Sequence, residues 1–218
     1  SEYYAIGSRG TLSSRWLYRA ELVHQRGHGL SSPVDPATGF VARQTTEDIE
    51  AWAGMIAVSY LAHDVAHTMF EIEVAAGSGD SDRAHPSNTF GGNRSGTSDQ
   101  AFNGLGYINT GLAVAPEISN LLMLRASVHR TVFDRRRDIG RLDLSVDGFL
   151  LAKIDDDAPL SVPSDDETFL GAELDLSVDW RITSDLEATL RYGIFFPGDA
   201  AVDNDVRHFL YMGLTHAF

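Results

Sequence analysis

From Phe169 to Ile182, apolar side chains occupy every second position over fourteen residues. Leu174 and Trp180 fall on one face of an extended chain, and Glu173 and Asp179 fall on the other. A helix would repeat its apolar residues every three to four positions, so this pattern predicts a β-strand. Strands in globular sheets usually have about five or six residues. A strand of this length indicates a sheet of another kind.

The same alternation recurs along the whole chain. It predicts nine strands in all, and no segment has a convincing helical pattern. The other eight predicted strands are Tyr3–Leu12, Trp16–His24, Trp52–Tyr60, Thr68–Ala76, Asn120–Val132, Leu142–Ala152, Leu186–Phe196 and His208–Phe218.

The connections between these strands alternate in length. Short turns are predicted at 13–14, 63–67, 133–141 and 183–185, and long loops at about 27–48, 77–119, 155–168 and 197–207. Long antiparallel strands with short turns at one end and long loops at the other are typical of outer-membrane barrels. The core of a bilayer contains no water to pair with exposed backbone groups, so such a sheet must close. We therefore predict an all-β fold, an antiparallel transmembrane β-barrel, as one domain over residues 1–218.

The segment Gly104–Ala115 is mildly apolar and is a possible further strand. A single extra crossing would break the alternation of short and long connections, so we assign this segment to the long loop. There it is expected to form a hairpin or to pack inward as a constriction.

Composition excludes several classes of protein. The 17 Lys+Arg against 31 Asp+Glu give a net charge of −14, which argues against nucleic-acid binding. The absence of Cys excludes disulfides, thiolate metal sites and a cysteine nucleophile. No apolar stretch approaches the roughly 18 to 20 residues of a transmembrane helix. The mean hydropathy of −0.14 averages an apolar face with a charged face and acidic loops.

Segments of the C-terminal half resemble a known family. Leu170-Gly-Ala-Glu-Leu-Asp-Leu, Asp179-Trp-Arg-Ile-Thr-Ser-Asp and Tyr192-Gly-Ile-Phe-Phe-Pro-Gly-Asp are similar to the last strands of the alginate-export family of outer-membrane porins. Phe102-Asn-Gly-Leu-Gly-Tyr-Ile with Leu121–Val128 resembles that family's long loop and returning strand. The terminal Phe218 is similar to the assembly signal of outer-membrane barrels.

The resemblance implies a barrel larger than this chain provides. Family members form single-chain barrels, and about nine strands are half of a 16–18-stranded porin. The N-terminus, Ser-Glu-Tyr-Tyr, lacks the features of a signal peptide. We therefore expect the chain to be the C-terminal portion of a larger barrel, or one part of a composite barrel.

If the apolar face contacts lipid, the polar face lines a pore. The predicted pore-lining residues are Arg19, Glu21, Glu71, Glu73, Arg125, Asp147, Lys153, Glu173, Asp175, Asp179, Arg181 and Arg191. With Asp143 and Glu187 the face carries nine acids and five bases. They are expected to form cross-strand ion pairs or to set selectivity. The resemblance implies a basic track for a polyanion, whereas these residues form a mixed, slightly acidic face, which leaves the substrate open.

Other chemistry is weakly supported. His63 and His67 have a metal-like i, i+4 spacing but lie in a turn, and we assign no metal site. The acidic runs 155–157 and 165–167 are expected to be solvated, with Ca²⁺ bridging to lipopolysaccharide as the alternative. The run 135–137 is expected to be a charged periplasmic turn. No catalytic motif and no cofactor are indicated, although a rim hydrolase would draw on His85, Ser87, Asp99 and His208.

The aromatic residues support the membrane interpretation. Trp16, Tyr18, Trp52, Tyr60, Trp180, Tyr192 and Phe218 are predicted near strand ends on the apolar face. This placement is typical of an interfacial aromatic girdle, with the core of a soluble β-domain as the alternative. The predicted location is the bacterial outer membrane, with short turns and the C-terminus periplasmic and long loops extracellular.

Three functions follow from these patterns. The first is a channel that gives passive passage to a saccharide or small solute, with outer-membrane lipid and lipopolysaccharide as its surroundings. The second is a non-conducting barrel that anchors other envelope proteins, with the 77–119 loop plugging its interior. The third is a soluble β-sandwich that binds a ligand through its long loops.

Overall fold

The computed structural model describes residues 1–34, 39–41, 43–83, 92–104, 107–136 and 140–217. Within these residues the chain forms nine strands and no helix. The strands are β1 (Glu2–Thr11), β2 (Trp16–Leu30), β3 (Thr46–Leu61), β4 (Met69–Gly77), β5 (Leu121–Arg136), β6 (Gly140–Lys153), β7 (Phe169–Arg181), β8 (Leu186–Pro197) and β9 (Arg207–His216).

All nine strands belong to one antiparallel sheet in the order β1 to β9. Each strand pairs with its neighbours in sequence, as in a meander. A β-sandwich would divide its strands between two sheets. In the part of the chain that the structure describes, β1 and β9 form the two edges and do not pair with each other. Because the number of strands is odd, the two edge strands run in the same direction.

The predicted all-β antiparallel fold is confirmed. Among the described residues, no helix has the length and apolar character needed to cross a bilayer. Phe218 lies outside the described residues, as do residues 137–139.

Two predicted strands are too short. β2 and β3 continue to Leu30 and from Thr46, six residues beyond the predicted ends at His24 and Trp52. The added pairs, such as Arg26↔Glu50 and His28↔Asp48, are polar on both strands. Hydrophobic alternation stops there, but backbone pairing continues because a ladder does not need an apolar face.

The predicted turn at 133–141 is also too long. β5 continues to Arg136 and β6 begins at Gly140, with register shifts near Phe133. Polar contacts support this extension, since the Thr131 hydroxyl donates to Asp143 and Arg141 Nε donates to the same carboxylate at 2.7 Å.

The two faces of the sheet differ in chemistry. One, here called the apolar face, exposes large hydrophobic side chains across all nine strands. Ile72 is 60% exposed and Leu210 is 61% exposed. Its other members include Ile6, Leu22, Ile56, Leu124, Val146, Leu174, Leu176, Met212 and Leu214. A continuous exposed apolar surface of this extent indicates contact with a partner or with lipid.

Aromatic rings bound the apolar face. Trp16, Tyr60 and Phe70 lie side by side at the short-turn end, with ring centroids 4.9 and 6.4 Å apart. Trp52 lies on the same face eight residues from Tyr60, about 26 Å along the strand at roughly 3.3 Å per residue. This spacing agrees with the band of about 25 Å between the aromatic girdles of a transmembrane barrel.

The opposite face, here called the polar face, is charged in its middle and becomes apolar toward the long loops. Met123, Phe149, Leu151 and Phe195 are buried there in one cluster with Leu160 and Leu170. Residues 107–118, here called the inward segment, cover this cluster with Ile108, Ala113, Val114 and Ile118. The segment contains no strand and packs inward, which agrees with the inward alternative for Gly104–Ala115.

The buried Asn120 joins the two long loops that meet above β5. Its side-chain amide donates to the Asp155 and Ala158 carbonyls, and its Oδ1 accepts from the Asp155 N–H. Its φ of 54° lies in the left-handed region, which asparagine tolerates better than most residues.

We expect Asn120→Ala to lower the free energy of unfolding by about 2–3 kcal/mol, because buried backbone groups lose their partners and alanine is strained at this φ. Urea unfolding of the protein in lipid vesicles measures this loss. Asn204→Ala is the matched control, since Asn204 is exposed in the 198–206 loop. Equal midpoints for the two variants would contradict the proposed role of Asn120.

Candidate functional site: the polar face of the sheet

The register of the sheet brings charged residues into adjacent cross-strand positions. Glu73 lies directly opposite Arg125, and Asp147 lies directly opposite Asp175. Directly paired residues of neighbouring strands point to the same face of a sheet, and so do residues an even number of positions apart on one strand. All four side chains therefore point to the polar face. The result is a charged patch that spans β4 to β7.

Arg125 is the centre of this patch. Its Nη2 lies 2.8 Å from Glu71, its Nη1 lies 3.5 Å from Glu73, and its Nε lies 3.2 Å from Asp147. The guanidinium is therefore surrounded by carboxylates from the two neighbouring strands, β4 and β6, and its side chain is largely buried. Five residues, Arg19, Glu71, Glu73, Arg125 and Asp147, form what we call the Arg125 cluster.

Arg19 covers the open side of the cluster. Its Nη2 lies 3.1 Å from Glu71 and also contacts Glu73. The Arg19 side chain is 47% exposed, whereas that of Glu73 is 2% exposed. Arg19 also lies directly opposite Arg9 of β1, which is exposed. At this position the accessible charge is positive, and the acids that balance it lie beneath.

Glu173 contacts the inward segment. Its carboxylate accepts hydrogen bonds from three consecutive backbone N–H groups, those of Leu112 at 2.5 Å, Ala113 at 2.6 Å and Val114 at 3.2 Å. The residue is buried. It therefore holds the segment and does not face open space in the described structure.

Asp175 lies next to this contact and is also buried. Within the described part of the chain, neither of its carboxylate oxygens accepts a hydrogen bond. Its Oδ1 lies over Gly193, where a Cβ would come within 2.7 Å of it.

Toward the short turns the charges are paired in the open. Arg191 Nη2 lies 2.7 Å from Asp179, and Arg181 Nε lies 3.8 Å from Glu187. All four side chains are at least a quarter exposed. The cross-strand ion pairs expected from the sequence are therefore present in the middle and at the turn end of the face.

The structure places the remaining predicted residues differently. Lys153 is buried beneath the 154–168 loop, where its Nζ donates to the carbonyls of Asp156 and Asp165. Glu21 is exposed and lines a cavity of about 310 Å³ between β1–β3 and the inward segment. Tyr3 and Phe102 line the same cavity, and their rings are perpendicular with centroids 6.3 Å apart. Whether the twelve residues line a conducting pore stays a prediction.

Sequence reasoning missed the buried contacts that hold the loops. Gln25 Oε1 accepts from the Asn103 N–H, and the Tyr3 hydroxyl donates to the Asn103 carbonyl. Arg83 pairs with Asp99 at 2.6 Å in a buried position. The sequence places these residues on the polar side of a strand or inside a long loop, but it does not indicate their partners, which are 16 to 100 residues away.

The residues considered for metal binding or catalysis are otherwise engaged or lie outside the described residues. His63 and His67 flank a turn in which Asp64 accepts from the Thr68 N–H and hydroxyl, and these bonds hold the pKa of Asp64 below its usual value. Asp99 pairs with Arg83, and His208 bonds Tyr192 on the apolar face. His85, Ser87 and residues 137–139 lie outside the described residues.

One acidic group has its carboxylates close together. Asp155, Asp156 and Asp157 have oxygen atoms within 4.8 Å of one another, and this is the one such group of three in the described part of the chain. Asp156 and Asp157 are exposed. Whether this loop is solvated or bridges to lipopolysaccharide through Ca²⁺ stays a prediction.

Comparison with known proteins bears on what this face does. A family model described as "Alginate export" matches residues 3–213, nearly the whole chain. No curated protein matches the chain.

Proposed function

The chain belongs to the alginate-export family, an outer-membrane transport family, and from this premise we propose that it gives passive passage to a saccharide or small solute. The observation that carries the proposal is the two-faced sheet. An exposed apolar face bounded by aromatic rings suits lipid, and a charged face behind it suits an aqueous path. The proposal includes no catalytic residue, cofactor or metal.

The proposal requires a closed wall. β1 and β9 have no strand on their outer sides within the described residues. Unpaired backbone groups at these edges would be costly in hydrocarbon. We therefore propose that further strands pair with β1 and β9, so that these nine strands form part of a 16–18-stranded barrel.

The proposed orientation follows from the lengths of the connections. Outer-membrane barrels have short periplasmic turns and longer extracellular loops. The connections at 12–15, 62–68 and 182–185 would then face the periplasm, and those at 31–45, 78–120, 154–168 and 198–206 would face outward. The outer ends of β2 and β3, with Arg26, His28 and Glu50 beyond Trp52, would lie at the level of lipopolysaccharide.

Burial changes the charge that a solute would meet. Of the seven predicted acids four are buried, namely Glu73, Asp147, Glu173 and Asp175, whereas of the five predicted bases only Lys153 is buried. With Asp143 and Glu187 of the same face, five acids and four bases remain at least partly exposed, and Arg9 adds a fifth cation beside Arg19. Burial thus removes the excess of acids expected from the sequence, and we propose that the exposed Arg9 and Arg19 attract an anionic saccharide to this face.

Ion selectivity tests this proposal. In planar bilayers under a KCl gradient, the protein is expected to conduct with a reversal potential that indicates anion selectivity. Arg19→Gln should lower the ratio of anion to cation permeability by roughly twofold, because it removes the accessible charge over the Arg125 cluster.

Arg15→Gln is the matched control, because Arg15 contacts Tyr60 at the turn end of the sheet and lies away from this face. Cation selectivity in the unmodified protein would contradict the anionic substrate. The absence of current at any voltage would favour the second candidate, a non-conducting anchor, which the docked inward segment supports.

A further inference from the structure

The inward segment makes its closest contact with the sheet at β7 and β8. Three consecutive N–H groups, from Leu112 to Val114, converge on the carboxylate of Glu173. Successive backbone N–H groups that point to one place form a concave anion-binding site. Here the anion is a side chain of the wall itself, so the site joins the segment to the sheet.

The bonds at this contact are of the strong kind. Hydrogen bonds to an ionised carboxylate are shorter and roughly twice as strong as those between neutral groups. Glu173 is buried, so water does not compete for its oxygens. A single side chain therefore supplies three charge-assisted bonds to one turn of backbone.

Glycines make the approach possible on both sides. Gly111 has a φ of 113°, and a Cβ there would lie 2.6 Å from Glu173 Oε1. A Cβ at Gly193 of β8 would lie 3.1 Å from the Leu112 Cβ and 3.3 Å from the Ala113 nitrogen. The backbone of the segment thus approaches the wall closely at Gly193.

The flanks of the segment are held in a different way. Ile108, Val114 and Ile118 pack against the apolar cluster, and the Glu117 N–H donates to the Ser161 hydroxyl at 2.7 Å. Non-directional apolar packing allows the segment to shift along the wall. The directional bonds at Glu173 determine the depth at which its middle sits.

We infer that Glu173 is the positioning residue that holds the inward segment against the wall and thereby sets the width of the channel. This inference rests on the proposed function for its consequence, the width, but the contact itself can be tested without conduction. Without the carboxylate, the segment loses its attachment and the channel changes its conductance in discrete, fluctuating steps.

Single-channel recording tests the consequence. Glu173→Ala is expected to change the mean conductance at least about twofold and to increase open-channel noise, because three N–H groups lose their acceptor. Glu173→Gln should give a smaller change, since its amide oxygen still accepts from Leu112 and Ala113. Glu187→Gln is the matched control, because it removes an acid from the same face at an exposed site. Unchanged conductance and noise in Glu173→Ala would overturn the inference.

Thiol labelling tests the contact even if no current is observed. The chain has no Cys, so Ala113→Cys introduces a single thiol beside Glu173. A neutral maleimide should label it about tenfold faster in Glu173→Ala than with Glu173 intact, because loss of the buried bonds favours the undocked state. Glu117→Cys is the matched control, since Glu117 is exposed and a thiol there should label equally fast in both backgrounds.

The two readouts separate the possible failures. Faster labelling without current supports the positioning role and contradicts the channel. Equal labelling rates with and without Glu173 overturn the positioning role, whatever the conductance. Folding of each variant is checked by its resistance to urea in vesicles, and Glu173→Gln keeps the test valid if Glu173→Ala does not fold.

Discussion

Arg125→Met is expected to lower the free energy of unfolding by about 3–5 kcal/mol, because it leaves buried carboxylates without their cation. Glu71, Glu73 and Asp147 all lie within 3.5 Å of this one guanidinium. Arg19 contacts Glu71 and Glu73 from the open side, whereas Asp147 lies on β6, beyond β5. The loss is measured by urea unfolding in lipid vesicles.

Arg130→Met is the matched control for this prediction. Arg130 lies on the same strand but on the opposite face, exposed near the turn end, so the same substitution there should change stability by less than about 1 kcal/mol. Arg125→Lys should fall between the two, since an ammonium keeps the charge but not the planar fork that reaches three carboxylates.

A double-mutant cycle identifies the cause of the loss. In Arg125→Met combined with Glu73→Gln, the loss should be smaller than the sum of the two single losses, because one uncompensated buried charge has been removed. Additive losses, or an Arg125→Met protein as stable as Arg130→Met, would show that the cluster does not behave as a coupled charge network.

Leu174→Arg is expected to cost about 2–4 kcal/mol if the apolar face contacts hydrocarbon. Leu174 lies near the middle of β7, is 49% exposed, and is paired with Gly148 and Ile194. On a water-exposed surface the same substitution would be nearly neutral, since the side chain has room and arginine is well solvated. The stability of Leu174→Arg in lipid vesicles therefore shows whether this face contacts hydrocarbon or water.

The control for this second prediction is the same substitution at a position nearer the membrane interface. Val178→Arg places the same charge on the same face and strand, four residues closer to the turn end and beside Trp180. The cost there should fall to about 0–1 kcal/mol, because arginine reaches the interface. Equal costs at Leu174 and Val178, or a tolerated Leu174→Arg, would contradict the assignment of this face to lipid.

Strands β1, β4 and β6 to β9 were predicted within two residues at every end, because their alternation continues up to the turns. The outer ends of β2 and β3 were missed because polar residues such as Arg26, His28 and Glu50 interrupt the hydrophobic alternation there. Pairing continues there through backbone bonds, which are common to all residues and leave no periodic signal.

The charged site was predicted as a set of residues but not as an arrangement. Side-chain direction alternates along a strand, so the sequence alone determined that Glu71, Arg125, Asp147 and Asp175 share a face. It also indicated that opposite charges would pair. Which residues pair depends on register between strands, and Arg125 meets acids from β4 and β6 that lie 22 to 54 residues away.

Exposure was decided only by the tertiary structure. Lys153, Glu173 and Arg19 look alike in sequence, as charges at alternate positions of predicted strands. The first is buried under one loop, the second is bonded to the inward segment, and the third is open to solvent. Period two places a side chain on one side of a sheet, but long-range packing of the loops determines whether it meets water or protein, and the sequence has no local pattern that records this packing.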